Sequence, residues 1–354
     1  TGNLGTATTT VADSVTMTAA YNVLNGKTVN HDGSESAQAL VVTIASADAA
    51  ADLSNITSDI TNLTANFSET QTFIGNLDSK TASVANDITV TATAADVTGD
   101  TIAAAGNGNI AVTALHSTLA ADLSGLSSST GAVTAAFDGT GTFTGNLGTA
   151  TTTVADSVTM TTTAAKATGK TINEAELENA TVVITALDQT LAADLSGITT
   201  NAVTAAFDGT GTFTGNLGTA TTTVADSVTM TAAYNVLNGK TVNHDGSESA
   251  QALVVTIASA DAAADLSNIT SDITNLTANF SETQTFIGNL DSKTASVAND
   301  ITVTATAADV TGDTIAAAGN GNIAVTALHS TLAADLSGLS SSTGAVTAAF
   351  DGTG

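Results

Sequence analysis

The sequence predicts an all-β fold in which tandem repeats stack as a parallel β-solenoid, with a string of small β-sandwich modules as the alternative architecture. Three observations carry the prediction. Residues 214–354 repeat residues 1–141 letter for letter, so the 354-residue chain has a long period of 213 residues. Short stretches alternate apolar and polar residues between clusters of Gly, Asn, Asp and Thr, the period-two pattern of half-buried strands. Pro is absent, where an average chain of this length would hold roughly eighteen, so no proline-rich linker divides the repeats.

Three related modules fill the long period, 1–73, 74–143 and 144–213, each ending in Thr-Phe ahead of a Gly-Asn-Leu triplet. Two more, 214–286 and a truncated 287–354, begin the next period, and the cut between modules is a choice of phase. "ALVVTIASADAAADLSNI" from Ala39 aligns with "NIAVTALHSTLAADLSGL" from Asn109 and "TVVITALDQTLAADLSGI" from Thr181. Kept in every module are Asp-Leu-Ser (Asp52, Asp122, Asp194, Asp265 and Asp335) and a Gly before a Thr-Val or Thr-Ile step (Gly26, Gly99, Gly169). All nine Phe fall at two sites six residues apart, which predicts that Phe67, Phe73, Phe137, Phe143, Phe207 and Phe213 are core residues.

Alternation is clearest in "ATTTVADSVTMT". Ala150, Thr152, Val154, Val158 and Met160 share one face, and the break at Asp156 and Ser157 predicts a bend. "TVVIT", "IAVT", "LVVTI", "VTAAF" and "GTFTG" read as further strands, and "NGK", "TGD", "TGK" and "FDGTG" as turns. One stretch competes: Leu53, Ile56, Ile60, Leu63 and Phe67 have helical spacing, although the intervening Ser, Thr, Asn and Asp are poor helix formers.

In a solenoid each coil buries its inward aliphatics against the coils above and below, and backbone bonds run along the axis. A 70-residue module would make three coils and advance about 15 Å, so the long period would advance about 45 Å. Sandwich domains placed end to end would advance roughly twice as far or more.

Composition narrows the function. The formal charge is −27, from 33 acids against 6 Lys, with no Arg. Nucleic-acid backbone binding needs clustered cations and is excluded. Aromatics are 3% and Cys is absent, so neither a deep core of large side chains nor disulfide or thiolate-metal chemistry is expected. No apolar run has membrane-spanning length, so no membrane insertion is expected within this segment.

No Gly-x-Ser-x-Gly elbow is present, and His116 aligns with Ser46 and Asp188 in the sister modules, so no enzyme is expected. The five Asp-Leu-Ser aspartates are candidate calcium ligands, or alternatively cap turns through nearby N–H groups. A single carboxylate per site is thin for a cation that takes six to eight oxygens. Thr-x-Thr spacing offers an ice-binding face, although exposed strand positions favour Thr in any case. Glycosylation sequons stand at Asn55, Asn62, Asn66 and Asn179.

Tandem "ADLSGI...VTAAFDGTGTFTGNLG.ATTTVADSVTMT" units resemble the repeat regions of giant Thr/Ala/Gly/Asp-rich bacterial surface proteins, the large adhesins and very long extracellular filament proteins. The resemblance spans the whole chain and rests on composition and repeat style. It implies an exported, non-enzymatic, β-rich stalk or fibre on the cell surface or outside the cell, with self-association as its main partnership. The dense Gly-Gly-x-Gly-x-Asp calcium signature of such repeats is missing here.

Overall fold

The computed structural model describes residues 2–33, 37–175, 179–246, 250–331 and 333–352. By its internal contacts the chain forms two compact units: Thr1–Thr162 with Lys170–Val183 and Gly197–Ala202, and Thr163–Gly169 with Ile184–Ser196 and Val203–Gly354. Each is built almost entirely of short strands. Every strand pairing among the described residues is parallel, as in Thr89–Thr93 with Asn109–Thr113 in the first unit and Thr302–Thr306 with Asn322–Thr326 in the second. Parallel pairing between consecutive turns of chain is the solenoid pattern, and it removes the sandwich alternative, whose sheets are antiparallel.

Three turns of chain make one module. In the first unit Gly99 N–H donates to the Asp122 carbonyl (2.8 Å), and Leu123 N–H donates to that of Asn146 (2.8 Å), so the Thr-Gly-Asp, Asp-Leu-Ser and Gly-Asn-Leu turns stack in order. In the second unit Gly169, Asp194, Leu195 and Asn216 repeat the arrangement at the same distances. Coils therefore fall into three types, opened by Gly-Asn-Leu, by Thr/Asn-Gly-Lys/Asp and by Asp-Leu-Ser. The kept Gly of the second type has φ of +77° at Gly99 and +66° at Gly169, a backbone region that strains any residue with a Cβ.

Strands follow the predicted alternation. Thr151–Val154 and Thr159–Thr163 are separated by a turn in which Ser157 has φ +61°, the bend anticipated there. Ala150, Thr152, Val154, Val158 and Met160 all point inward and are at most 9% exposed. Phe67, Phe73, Phe137, Phe143, Phe207 and Phe213 are at most 1% exposed, with the Phe67 and Phe73 rings in edge contact at 5.1 Å.

The competing helical stripe does not form a helix. Leu53–Asn55 is a single 3-10 turn and Leu63–Phe67 is a strand with alternating burial. Leu53, Ile56, Ile60, Leu63 and Phe67 are all buried; the spacing arose from a turn followed by extended chain. Four-residue helices occur elsewhere, at Tyr21–Leu24, Ala94–Val97 and Ala164–Ala167. They close the Gly-Asn-Leu coils, and at Ala94–Val97 a reciprocal Thr93–Asp96 capping box starts the turn.

In modules 74–143 and 144–213 the Asp-Leu-Ser coil differs from the other two because it carries three strands. In the first unit Leu126–Ser128 is the last strand of one sheet, Val133–Phe137 lies inside a second, and Gly141–Thr142 pairs upward with Thr159–Thr163 to open a third. The second of these sheets runs through Gln71–Phe73, Thr89–Thr93, Asn109–Thr113, Val133–Phe137, Thr151–Val154, Ile172–Glu174 and Ile198–Thr199. Chain positions thus change sheets once per module.

The core holds a recurrent imperfection. Thr152 and Thr222 are fully buried and their hydroxyls have no hydrogen-bond partner, whereas the equivalent position in module 74–143 is Ala82. An unpaired buried hydroxyl costs about 1–3 kcal/mol. Thr152→Val, which replaces the hydroxyl by a methyl of similar size, is therefore expected to raise stability by about 1 kcal/mol in urea denaturation, and a loss of stability would refute this account of the site.

Candidate functional site

The most regular chemical feature is the column of turns, and its residues explain the kept motifs. In Gly-Asn-Leu, the Asn146 side-chain oxygen accepts from Gly148 N–H (3.0 Å), Leu147 is buried, and a Cβ on Gly145 would lie 2.0 Å from the Ala121 carbonyl oxygen of the coil beneath. Gly75, Gly215 and Gly288 meet Ala51, Ala193 and Ala264 in the same way. Only Gly permits that approach of two backbones.

Each described Asp-Leu-Ser aspartate accepts from the N–H of the Ser two residues on: Ser54 to Asp52 (3.1 Å), Ser124 to Asp122 (3.0 Å), Ser196 to Asp194 (3.0 Å), Ser267 to Asp265 (3.1 Å) and Ser337 to Asp335 (3.0 Å). Hydroxyl and amide donation from Ser196 holds the Asp194 carboxyl below its ordinary range, and the Ser267 and Ser337 donors do the same for Asp265 and Asp335. These are the geometries of turn capping. Among the described residues no three His, Asp or Glu side chains are grouped so as to hold a metal ion.

Position 100 shows what happens when a module departs from the pattern. Lys27, Lys170 and Lys240 occupy it in the other modules, and their ammonium groups donate to the carbonyls of Gly5 (2.5 Å), Gly148 (2.6 Å) and Gly218 (2.5 Å). Module 74–143 places Asp100 there, half-buried under the Ser124–Gly125 turn, and burial pushes its carboxyl up from 3.8 to about 6. Its copy Asp313 is raised for the same reason. A raised carboxyl favours the protonated fold, so this contribution is present below pH 3.8, fades as pH rises to about 6 and is absent above. Asp100→Asn should therefore flatten that part of the stability profile. With half the group still solvated, the expected gain at pH 7 is about 1–2 kcal/mol; an unchanged pH profile of Tm would contradict it.

A second variable position ties neighbouring coils. Module 1–73 uses Ser46, whose N–H and hydroxyl donate to Glu69 (3.0 and 2.6 Å). Module 74–143 uses His116, with Nδ1 2.5 Å from the Asp138 carboxylate. Module 144–213 uses Asp188, whose carboxylate accepts from Asp208 N–H (3.4 Å). Burial, followed by the charges of Asp188 and Asp245, raises the Asp208 carboxyl.

Ser117 Oγ lies 3.3 Å from His116 Nε2, and Ser330 Oγ lies 3.1 Å from His329 Nε2. With Asp138 this makes a Ser-His-Asp string. The His116 and Asp138 side chains are 38% and 45% exposed, whereas acyl transfer needs a water-poor recess with aligned oxyanion donors. The same position is Ser-Glu and Asp-Asp in the sister modules, as expected for a tie between coils. His31 Nε2 lies 3.4 Å from the Asp59 carboxylate.

Outward Thr residues do form ladders, but broken ones. Thr72, Thr91, Ala111, Thr134 and Thr151 are successive register partners in the first unit, and Thr212, Thr231, Val254, Thr277 and Thr294 in the second. Of the sequon asparagines, Asn62 donates to the Gln38 carbonyl, while the Asn66 and Asn179 side-chain oxygens accept from Ser83 Oγ and Ser157 N–H. Among the described residues no helix is long and apolar enough to cross a membrane. Compared with family models, curated proteins and solved structures, the chain gives no match in any of the three.

Proposed function

We propose that the chain is a structural, non-enzymatic stretch of a long extracellular or cell-surface fibre, in which stacked β-coils are the building material and the principal partner is more of the same repeat. The observation that carries this reading is the identity of the coil interfaces. Phe137 sits opposite Val154 in the first unit, Phe207 opposite Val224 in the second, and the rest of each register follows suit. Each added module buries the same Phe pair and repeats the same turn column, so length grows without a new kind of contact. The acid excess keeps such a surface hydrated and self-repelling.

The axial advance of the 213-residue period tests the reading. Nine coils at about 4.8 Å predict about 45 Å, measurable by fibre diffraction or averaged electron micrographs. An advance of twice that length would sink it.

A ligand-binding stalk, adhesive or ice-binding, is the second reading, supported by the Thr ladders. Each is interrupted in the Thr/Asn-Gly coil, at Ala111 and Val254, which limits any flat array to short runs. Thermal hysteresis from the folded chain would support it, and none at millimolar protein would remove its ice-binding form.

A further inference from the structure

Two segments one coil apart change together between module types, and they change in opposite directions in size. In module 1–73 the first is Ile44–Ala49, "IASADA", and the second is Ser68–Gln71, "SETQ". In module 74–143 they are Ala114–Leu119, "ALHSTL", and Asp138–Gly141, "DGTG". In module 144–213 they are Ala186–Leu191, "ALDQTL", and Asp208–Gly211, again "DGTG". Where the first segment carries the large side chains, the second has glycine. A Cβ on Gly139 would lie 2.5 Å from the His116 ring, and one on Gly141 would lie 3.1 Å from a Leu119 methyl carbon. Gly209 and Gly211 meet Asp188 (2.6 Å) and Leu191 (3.2 Å) in the same way. Module 1–73 reverses the sizes, with Ser46 and Ala49 in the first segment and Glu69 and Gln71 in place of the glycines. Glu69 reaches back to Ser46, and Gln71, 7% exposed, donates through Nε2 to the Ile44 carbonyl (3.0 Å). Ser259 with Glu282 and Gln284 with Ile257 repeat these bonds in the second unit.

The backbone shifts with the side chains. Ala114 and Ala186 turn left-handed, with φ +54° and +55°, and the residue after each, Leu115 or Leu187, is fully buried. In module 1–73 the buried residue comes one position earlier, at Ile44, which ends the extended strand Ala39–Ile44 and pairs with Phe67. A β-branched residue is strained at positive φ, so the two forms of the first segment are distinct in shape as well as in volume.

We propose that the two segments are a matching device, in which the first segment of a module accepts a second segment of its own type and rejects the other, so that strands of unlike modules do not pair. The two mismatches fail for opposite reasons. "SETQ" against "ALHSTL" drives the Glu and Gln side chains into the space of His116 and Leu119, which is overpacking. "DGTG" against "IASADA" leaves Ser46 without its carboxylate and the Gln71 volume empty. Near-identical repeats offer many wrong pairings, within one chain and between chains, and a device of this kind removes those between module 1–73 and its two sisters.

The device belongs to the fold and does not rest on the fibre reading. Its test changes module 74–143 alone within the full chain. One variant exchanges the second segment (Asp138→Ser, Gly139→Glu, Gly141→Gln), another exchanges the first (Ala114→Ile, Leu115→Ala, His116→Ser, Ser117→Ala, Thr118→Asp, Leu119→Ala), and a third combines both sets. The readout is amide exchange in Val133–Phe137 and in its partner strand Thr151–Val154, with circular dichroism to check the fold. Exchange is expected to be about 100-fold faster in each single-segment variant and within about tenfold of the parent in the combined one. Where a single-segment variant does not fold, a folded combined variant carries the same result. A combined variant that exchanges as fast as either single-segment variant or fails to fold, or unchanged exchange after exchange of the second segment alone, would overturn the device.

Discussion

Gly145→Ala is expected to be among the most damaging single substitutions in the chain, lowering stability by about 3 kcal/mol or more. The added methyl would lie 2.0 Å from the Ala121 carbonyl oxygen and within 2.8 Å of the Ala121 amide nitrogen. Both are backbone atoms of the coil beneath, so no side chain can rotate away. The coils must separate locally, which lengthens the Asn146 N–H to Ala121 carbonyl bond of 2.8 Å and loosens Leu147. An unchanged urea midpoint in Gly145→Ala would show that coil contact is not why the motif keeps glycine.

The second large effect is expected at Phe207→Ala. Phe207 is fully buried, and deletion of such a ring costs about 3–5 kcal/mol because the surrounding coils relax only in part. Stability in a stacked array is a sum of local and nearest-neighbour terms. Loss at one coil should therefore appear first as faster amide exchange in the strands paired with it, Thr221–Val224 above all, before any global transition. A cost below about 1 kcal/mol, or unchanged exchange in Thr221–Val224, would mean that the ring's burial is not what matters.

The strands, bends and aromatic core were legible because repetition and alternation report them directly. Thr152 and Val154 on one side of the Asp156–Ser157 bend, and Val158 and Met160 on the other, are enough to set which face is inward. What the alternation hid was the four-residue helices: Ala164–Ala167 is too short for a periodic stripe, and only Thr93 and Asp96, a Thr-x-x-Asp pair, carried a local signal. The stripe from Leu53 to Phe67 misleads because a turn and a strand can place apolar residues three and four apart without one continuous helix. The turn column was half legible. Asp52 and its copies stood out as kept acids, but sequence spacing does not reveal that Asn146 follows a glycine whose Cβ would meet the coil beneath. The coil ties at Ser46, His116 and Asp188 were missed because their partners, 20 to 23 residues away, change identity together with them.

The exchange of sheets in every Asp-Leu-Ser coil has a consequence for how such a chain can change length. Removing a single coil would bring together two coil types that never meet in this molecule, with turns and strand counts that have no established fit. Removing three consecutive coils keeps each coil type beside the types it already meets. Gain and loss of material thus favour modules of about seventy residues, rejoined at the same phase and with each coil tie kept beside its own partner.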